Sequence, residues 1–584
     1  MKKAYPIPTD TAASQASASD PQNSAWVSAN AGSGKTHVLA QRVIRLLLRG
    51  TDPSKILCLT YTRAAAANMS NRVFSTLSEW TALGDVELAA KIEALDGRQP
   101  DHETMRRARR LFAEALETPG GLKIQTIHAF CESVLHQFPL EANIPAHFEM
   151  LDPQMEASLF AAARRDMISG TAAGDAGLAE AFATILERGG EHGLDALLAE
   201  IVRKRDGLRA FIAAAGGDGF RALFDAFRFR AGITAEGLAA SVWPLPGFLP
   251  DYFTTFARAA EAADARIVLN NLLPYARLAF AEDNPVRRLQ LLAKAFLRAD
   301  GEPYEPAKTF KKALLDQLPD LAERYLSAAD AILEISDRLA LFRMLEGTRA
   351  ALTIADWLIA RYEHLKRARG FLDFNDLITR TINLLARPDA GPWVQYKLDR
   401  GIDHILLDEA QDTSPDQWEV VKRLAEEFFA GLGARDNVHR TVFAVGDEKQ
   451  SIYSFQGAAP VSFADSRLLF AGRVRDANAA FADLKLTWSF RSTDDVLAAV
   501  DRVFADPVVR RGISHDPDPL NHKAIRTDAP GYVEVWPSIG ADVVDEPDDW
   551  TQAVDHAHAP AVRVAENVAA TIAGWIGAGE IIEG

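Results

Sequence analysis

An ammonium, a hydroxyl and a pair of carboxylates stand at two distant places in the 584-residue chain, each in a setting that suits phosphate chemistry. The first is Ser28-Ala29-Asn30-Ala31-Gly32-Ser33-Gly34-Lys35-Thr36. It follows the apolar run Ala25-Trp26-Val27 and precedes Val38-Leu39-Ala40-Gln41-Arg42-Val43-Ile44, whose spacing predicts a helix. Strand, small-residue loop and helix are what a phosphate-binding loop requires. Small residues let backbone N–H groups turn inward around phosphate oxygens, and the helix N-terminus adds partial positive charge. There Lys35 would reach the β- and γ-phosphates of a nucleotide, and the Thr36 hydroxyl would hold Mg²⁺. The general pattern G-x-x-x-x-G-K-[ST] is incomplete, because Ala29 stands where the first glycine is expected. The match rests on Gly32, Gly34, Lys35 and Thr36. The alternative is a glycine-rich turn with no ligand.

The second place is Asp408-Glu409, at the end of the apolar run Ile405-Leu406-Leu407. Asp408 would accept a magnesium-bound water, and Glu409 would orient and deprotonate the water that attacks the γ-phosphate. Gly446 to Gly457 follows another apolar run, Val442-Phe443-Ala444-Val445. In it Gln450 could sense the γ-phosphate and Phe455 could stack on a nucleic-acid base. Thr487-Trp488-Ser489-Phe490-Arg491-Ser492 comes next. Arg491 could stabilise charge on the transferring phosphoryl group, and Phe490 could cover an adenine. Gln15 could read that adenine through its amide.

These groups need strands that end at one edge. Short apolar runs at Ala25-Trp26-Val27, Ile56 to Thr62, Lys123 to Ile127, Ile405 to Leu407, Val442 to Val445 and Asp483 to Leu486 suit a parallel sheet covered on both faces. The predicted fold is α/β: a parallel-sheet domain from 1–140 and 370–483, a helical insertion over 141–369, and the start of a second α/β domain over 484–584. Residues 1–24 read as mostly flexible. Residues 80 to 118 read as helical, with a break at Pro119-Gly120-Gly121. The acidic segment 541 to 560 reads as an exposed loop, followed by a helix from Val562 to Ile576.

Composition narrows the class. A net charge of −16 argues against a surface coated in basic groups, yet a local basic groove would suffice for nucleic acid. The clusters Arg106 to Arg110 and Lys366 to Arg369 read as solvated helix faces. No apolar run is long enough to span a membrane. Two cysteines, Cys58 and Cys131, read as reduced core residues of a cytoplasmic protein.

Together these segments resemble superfamily 1 DNA helicases of the UvrD/Rep/RecB kind, and within them the AddA-like helicase–nuclease subunits of bacterial double-strand-break repair. The Trp26–Thr36 loop resembles the AddA form of the ATP loop, which accounts for Ala29. Thr60-Tyr61-Thr62-Arg63 resembles motif Ia, and Thr126-Ile127-His128-Ala129-Phe130-Cys131 the next DNA-contacting motif. Asp408-Glu409-Ala410-Gln411-Asp412-Thr413 resembles motif II, Gly446–Gly457 motif III, and Trp488–Ser492 motif IV. The resemblance implies a RecA-like ATPase fold, with ATP and Mg²⁺ held by Gln15, Ala29 to Thr36, Asp408 and Phe490. It implies hydrolysis through Lys35, Glu409, Gln450 and the arginine finger Arg491. It implies single-stranded DNA against Thr62, His128 and Phe455. Gln456 stands where UvrD-like members carry Arg and AddA-like members carry Gln. Also implied are 3′-to-5′ translocation from DNA ends, recombinational repair and an AddB-like partner subunit. Later motor motifs and a cysteine-bearing nuclease domain are not found, so the chain reads as the N-terminal part of such a protein. A UvrD/Rep-like repair helicase without nuclease, or a non-motor ATP-binding module, are the alternatives.

Overall fold

Ile56, Leu57, Cys58 and Leu59 are all buried, so both faces of that strand are covered; Ile405, Leu406 and Leu407 repeat the pattern. Strands of this kind belong in the middle of parallel sheets. The computed structural model describes residues 5–171, 174–399, 401–429, 438–513, 519–540 and 560–580. Among them are ten strands: β1 (Ser24–Ala29), β2 (Ile56–Thr60), β3 (Lys123–Thr126), β4 (Glu149–Met150), β5 (Phe371–Leu372), β6 (His404–Leu407), β7 (Thr441–Gly446), β8 (Phe481–Leu486), β9 (Trp488–Thr493) and β10 (Lys523–Arg526). Six form one sheet in the order β3-β2-β6-β7-β1-β8, with every pairing parallel. Parallel neighbours bring their C-terminal ends to one edge, which is where ligands gather in such sheets.

The chain divides into two compact units, Met1–Asn143 with Asn375–Gly584, and Ile144–Phe374. The sheet, β9 and β10 all lie in the first. Its helices α1 (Thr9–Ala18), α2 (Lys35–Leu48), α3 (Arg63–Ala82), α4 (Asp85–Asp96), α5 (His102–Glu117) and α6 (Ile127–Gln137) follow the early strands. One face of β1 sends Val27 into the core with Val38, Leu39 and Val43 of α2. On the other face Trp26 stacks on Trp418 and meets Phe463 and Phe470.

Three expectations change. Residues 9 to 18 are helical rather than flexible, because arginines from α2 hold the chain there. Buried Arg42 donates to the carbonyls of Ala18, Asp20 and Asn23, and Arg45 to the Ala16 carbonyl and the Ser19 hydroxyl. The helical stretch from 80 onward is three helices. Gly97 ends α4 at φ 72°, and Asp101 caps α5 by accepting from the Thr104 N–H. Lys366 is not solvated; it is 1% exposed and donates to Glu363 and Asp373, both at 2.9 Å. The segment 541 to 559 lies outside the described residues.

The second unit is helical apart from the short pair β4 and β5. A 48-residue helix, Leu321–Ala368, runs through it. Phe248, Phe256, Phe296 and Tyr325 fill a core along the first half of that helix, and Phe160 stacks on Tyr362 at 4.0 Å near its end. Among the described residues no helix is long and apolar enough to cross a membrane. Cys58 and Cys131 are buried free thiols.

Candidate nucleotide-binding and hydrolytic site

The loop after β1 is shaped by its own small residues. The Asn30 carbonyl accepts from the Ser33 N–H at 3.2 Å and from the Ser33 hydroxyl at 2.7 Å, drawing the loop into a tight turn. Gly32 and Gly34 take φ values of 73° and 93°, which side chains rarely tolerate. Gly34 is the residue before α2, so the N–H groups of that helix's first turn face the loop. Ala29 is buried at the end of β1, beside Leu486 of β8. Asn30 donates its backbone N–H to Leu486 at 2.9 Å and its amide to the Thr487 carbonyl at 3.3 Å.

Two predicted base-contacting residues meet this loop. Buried Gln15 donates to the Ser33 carbonyl at 3.4 Å. A Cβ on Gly34 would lie 3.2 Å from the Gln15 amide nitrogen and 3.9 Å from the Phe490 ring. Phe490 donates its backbone N–H to the Gly32 carbonyl at 2.8 Å. Loop, α1 and β9 therefore converge on one glycine.

Lys35 and Glu409, 374 residues apart, join at 2.9 Å across the sheet edge. Lys35 Nζ also donates to Gln450 Oε1 at 3.4 Å. Glu409 holds its place at a cost. Its φ is 48°, a left-handed conformation that a residue with a Cβ seldom adopts. The Asp408 N–H is held by the Leu59 carbonyl of β2, so the neighbouring strand sets where this turn begins. A cleft of about 350 Å³ opens here. Gly32, Gly34, Lys35 and Thr36 line one side, and Glu409, Gln450, Phe490 and Arg491 are also in its wall.

Buried carboxylates crowd the same edge. Burial first, and then the Glu409 charge, push the Asp408 carboxyl up to about 6. Asp412 is also pushed up to about 6, mainly by burial, and its Oδ1 is a buried atom with no hydrogen-bond partner. A hard divalent cation suits such a donor set, since it takes oxygen ligands and favours the ionised carboxylate. The hydroxyl of Thr36, the Asp408 carboxylate and the glycine cradle therefore fit a magnesium–nucleotide complex.

Sequence reasoning misses several residues here. His37 and Arg72 complete the cleft wall, and burial, with the Arg72 charge second, depresses the His37 imidazole. Gln411 and Asp447 link the two acidic loops. Their signal is the adjacency of β6 and β7, which a linear reading does not supply.

The DNA-facing candidates lie along the same edge. Thr60 of β2 is paired with Thr126 of β3, so Thr62 and His128 each stand two residues past a matched position. Thr62 caps α3 by accepting from the Ala65 N–H, and Thr126 caps α6 by accepting from the Ala129 N–H. His128 is half-buried, and burial lowers its imidazole. Phe455 is 77% exposed. Its ring lies 6.0 Å from Tyr453, which lies 4.7 Å from Tyr61, and the Tyr61 hydroxyl donates to Gln456. The loops after β2 and β7 thus share an aromatic ridge, of which sequence reasoning singles out Phe455 alone.

Residues 9–468 match the family model described as the UvrD/REP helicase N-terminal domain. The chain is 26% identical over 524 residues to the AddA subunit of the ATP-dependent helicase/nuclease of Pelotomaculum thermopropionicum, covering 82% of this chain and 37% of that relative. It is 27% identical over 522 residues to the protein of the same name from Listeria monocytogenes, covering 82% and 38%. For that of Lacticaseibacillus casei the figures are 26% over 568 residues, covering 91% and 42%. The chain spans about two fifths of the length of the curated relatives it matches.

Proposed function

The chain belongs to the UvrD/REP helicase family through its N-terminal domain, and on that premise we propose that it is the ATP-hydrolysing part of an AddA-like DNA helicase. In this reading it drives 3′-to-5′ movement on single-stranded DNA during repair of double-strand breaks, in the cytoplasm and beside an AddB-like subunit. The observation that carries it is the meeting of Lys35, Glu409 and Gln450 beside the glycine loop.

The roles follow from position. Lys35 binds the terminal phosphates, and α2 presents its first N–H groups to them. Thr36 and Asp408 hold magnesium, which when bound neutralises phosphate charge. Glu409 takes a proton from the attacking water, with Gln450 orienting that water against the γ-phosphate. Arg491 lines the same cleft and stabilises charge on the transferring group. Gln15 and Phe490 hold the adenine. Thr62, His128 and Phe455 receive single-stranded DNA, and the DNA ends are the substrate that the motor opens. The names of the relatives, each the AddA subunit of a helicase/nuclease, support the choice of an AddA-like reading.

The test is ATP hydrolysis with and without single-stranded DNA. Turnover should rise with DNA, and Glu409→Gln should keep nucleotide binding while slowing hydrolysis by about 10²- to 10⁴-fold. Wild-type turnover in that variant would overturn the assignment of Glu409. Failure of the wild-type chain to bind Mg-ATP would overturn the whole reading.

A further inference from the structure

Gln411 is 1% exposed, and both ends of its amide are committed. Its Nε2 donates to Glu409 Oε2 at 3.0 Å and to Asp412 Oδ2 at 3.2 Å. Its Oε1 accepts from the Asp447 N–H at 2.9 Å. The amide orientation follows from these neighbours, because one end faces two carboxylates and the other a donor. Space for it comes from Gly446, where a Cβ would lie 2.7 Å from Gln411 Oε1.

These bonds close a ring. Asp447 accepts from the Gln450 amide, Gln450 accepts from Lys35, Lys35 donates to Glu409, and Glu409 accepts from Gln411. From the same loop, the Ser451 hydroxyl donates to the Gln411 carbonyl at 3.4 Å. One buried amide therefore touches the carboxylate at the cleft and the start of the loop that ends in Tyr453 and Phe455.

We propose that Gln411 is a positioning residue that aims the Glu409 carboxylate and ties it to the Asp447–Gly457 loop, so that nucleotide in the cleft changes the aromatic ridge. This rests on the hydrolytic reading above. Lys35 and Gln450 leave Glu409 when they engage phosphate, and Gln411 is then the contact that keeps its carboxylate in place. The same departure frees the Gln450 side of the ring, and the loop moves with Asp447. Glutamate is nearly the same shape, but it would set a third carboxylate against Glu409 and Asp412. Alanine would leave all three partners without the amide.

The experiment compares the full chain with Gln411→Glu and Gln411→Ala. Both variants should bind a non-hydrolysable ATP analogue with Mg²⁺ much as wild type does. Both should lower kcat for ATP about 10- to 100-fold, as loss of a group that orients a reacting one does, with KM little changed. Hydrogen exchange over 447–457 should slow on analogue binding in wild type and not in Gln411→Ala. A residue that only supported the fold would move KM and the melting temperature together with kcat. Wild-type kcat in both variants, or a loop that still responds in Gln411→Ala, would overturn the relay while leaving the hydrolytic reading intact. A wild-type chain that neither binds the analogue nor hydrolyses ATP would overturn both.

Discussion

Two buried groups of charges, one in each unit, are balanced differently. In the helical unit Lys366, Arg205 and Arg209 face Glu156, Glu363 and Asp373, three against three. Every one of them has an ion-pair partner within 4.0 Å, and Arg205 also lies over the Phe160 and Tyr362 rings. At the sheet edge Lys35 and Lys449 face Asp408, Glu409, Asp412 and Asp447, two against four. There two carboxyls are pushed up to about 6 and a backbone is strained at Glu409. A balanced cluster serves packing. An unbalanced one is held by the rest of the fold and is completed by something that binds, which is why perturbed groups gather at functional sites.

The largest effect should come from breaking the balanced cluster. Lys366→Met takes away the lysine that Glu363 and Asp373 share. It should cost about 3–5 kcal/mol of stability, read by denaturant unfolding, because buried carboxylates lose a compensating charge. ATP turnover per folded molecule should not change. Lys35→Met should do the reverse, cutting hydrolysis by about 10²- to 10³-fold, as loss of one preorganised charge at a transition state does. Its unfolding curve should move little, since the Glu409 side chain is 35% exposed and keeps Gln411. If Lys35→Met unfolded the chain instead, the contrast between the clusters would fail.

How much of this is legible in the sequence depends on how local the cause is. The loop Ser28–Thr36 carries its own geometry in glycines and a following helix, so its chemistry can be read in line. Asp408 and Glu409 can be read from the apolar run before them. The parallel sheet follows from six short runs apolar on both faces. Gln411 cannot be singled out, because its role depends on β6 and β7 being neighbours. Lys366 looks like an exposed helical lysine until Asp373 folds back on it. The helix at Thr9–Ala18 looks like a polar tail because Arg42 and Arg45, which hold its carbonyls, come more than twenty residues later. By contrast Gly97 and Asp101 are ordinary local signals for ending one helix and starting another.

Aromatic pairs extend the comparison at smaller scale. Phe160 and Tyr362 stack inside the helical unit, whereas Tyr61, Tyr453 and Phe455 form a ridge whose outermost ring is mostly in solvent. Phe455→Ala should weaken single-stranded DNA binding by about 1–3 kcal/mol, measured as a Kd at fixed salt, and leave the melting temperature unchanged. A large melting shift with no change in Kd would mean that the exposed ridge serves packing as well.

The smallest effect separates the clusters by sign. Asp412 has a folded-state pKa of about 6 against an ordinary value of 3.8, chiefly because it is buried. A carboxyl raised on folding contributes stability that is fully present below the unfolded value and is lost as pH rises through the folded one. At a pH well above 6 that contribution is gone, and the charge is carried in a poor place with Oδ1 unpaired. Asp412→Asn should therefore raise the melting temperature in mildly alkaline buffer by a few degrees, and the gain should shrink in mild acid as wild-type Asp412 takes up its proton. In the balanced cluster the corresponding change, Asp373→Asn, removes a carboxylate that accepts from Lys366 and Arg205, and should lower the melting temperature in the same alkaline buffer. Were both substitutions to shift stability in the same direction, the sheet edge would not be holding excess negative charge, and the argument that it is built to receive a cation and a phosphate would lose its electrostatic support.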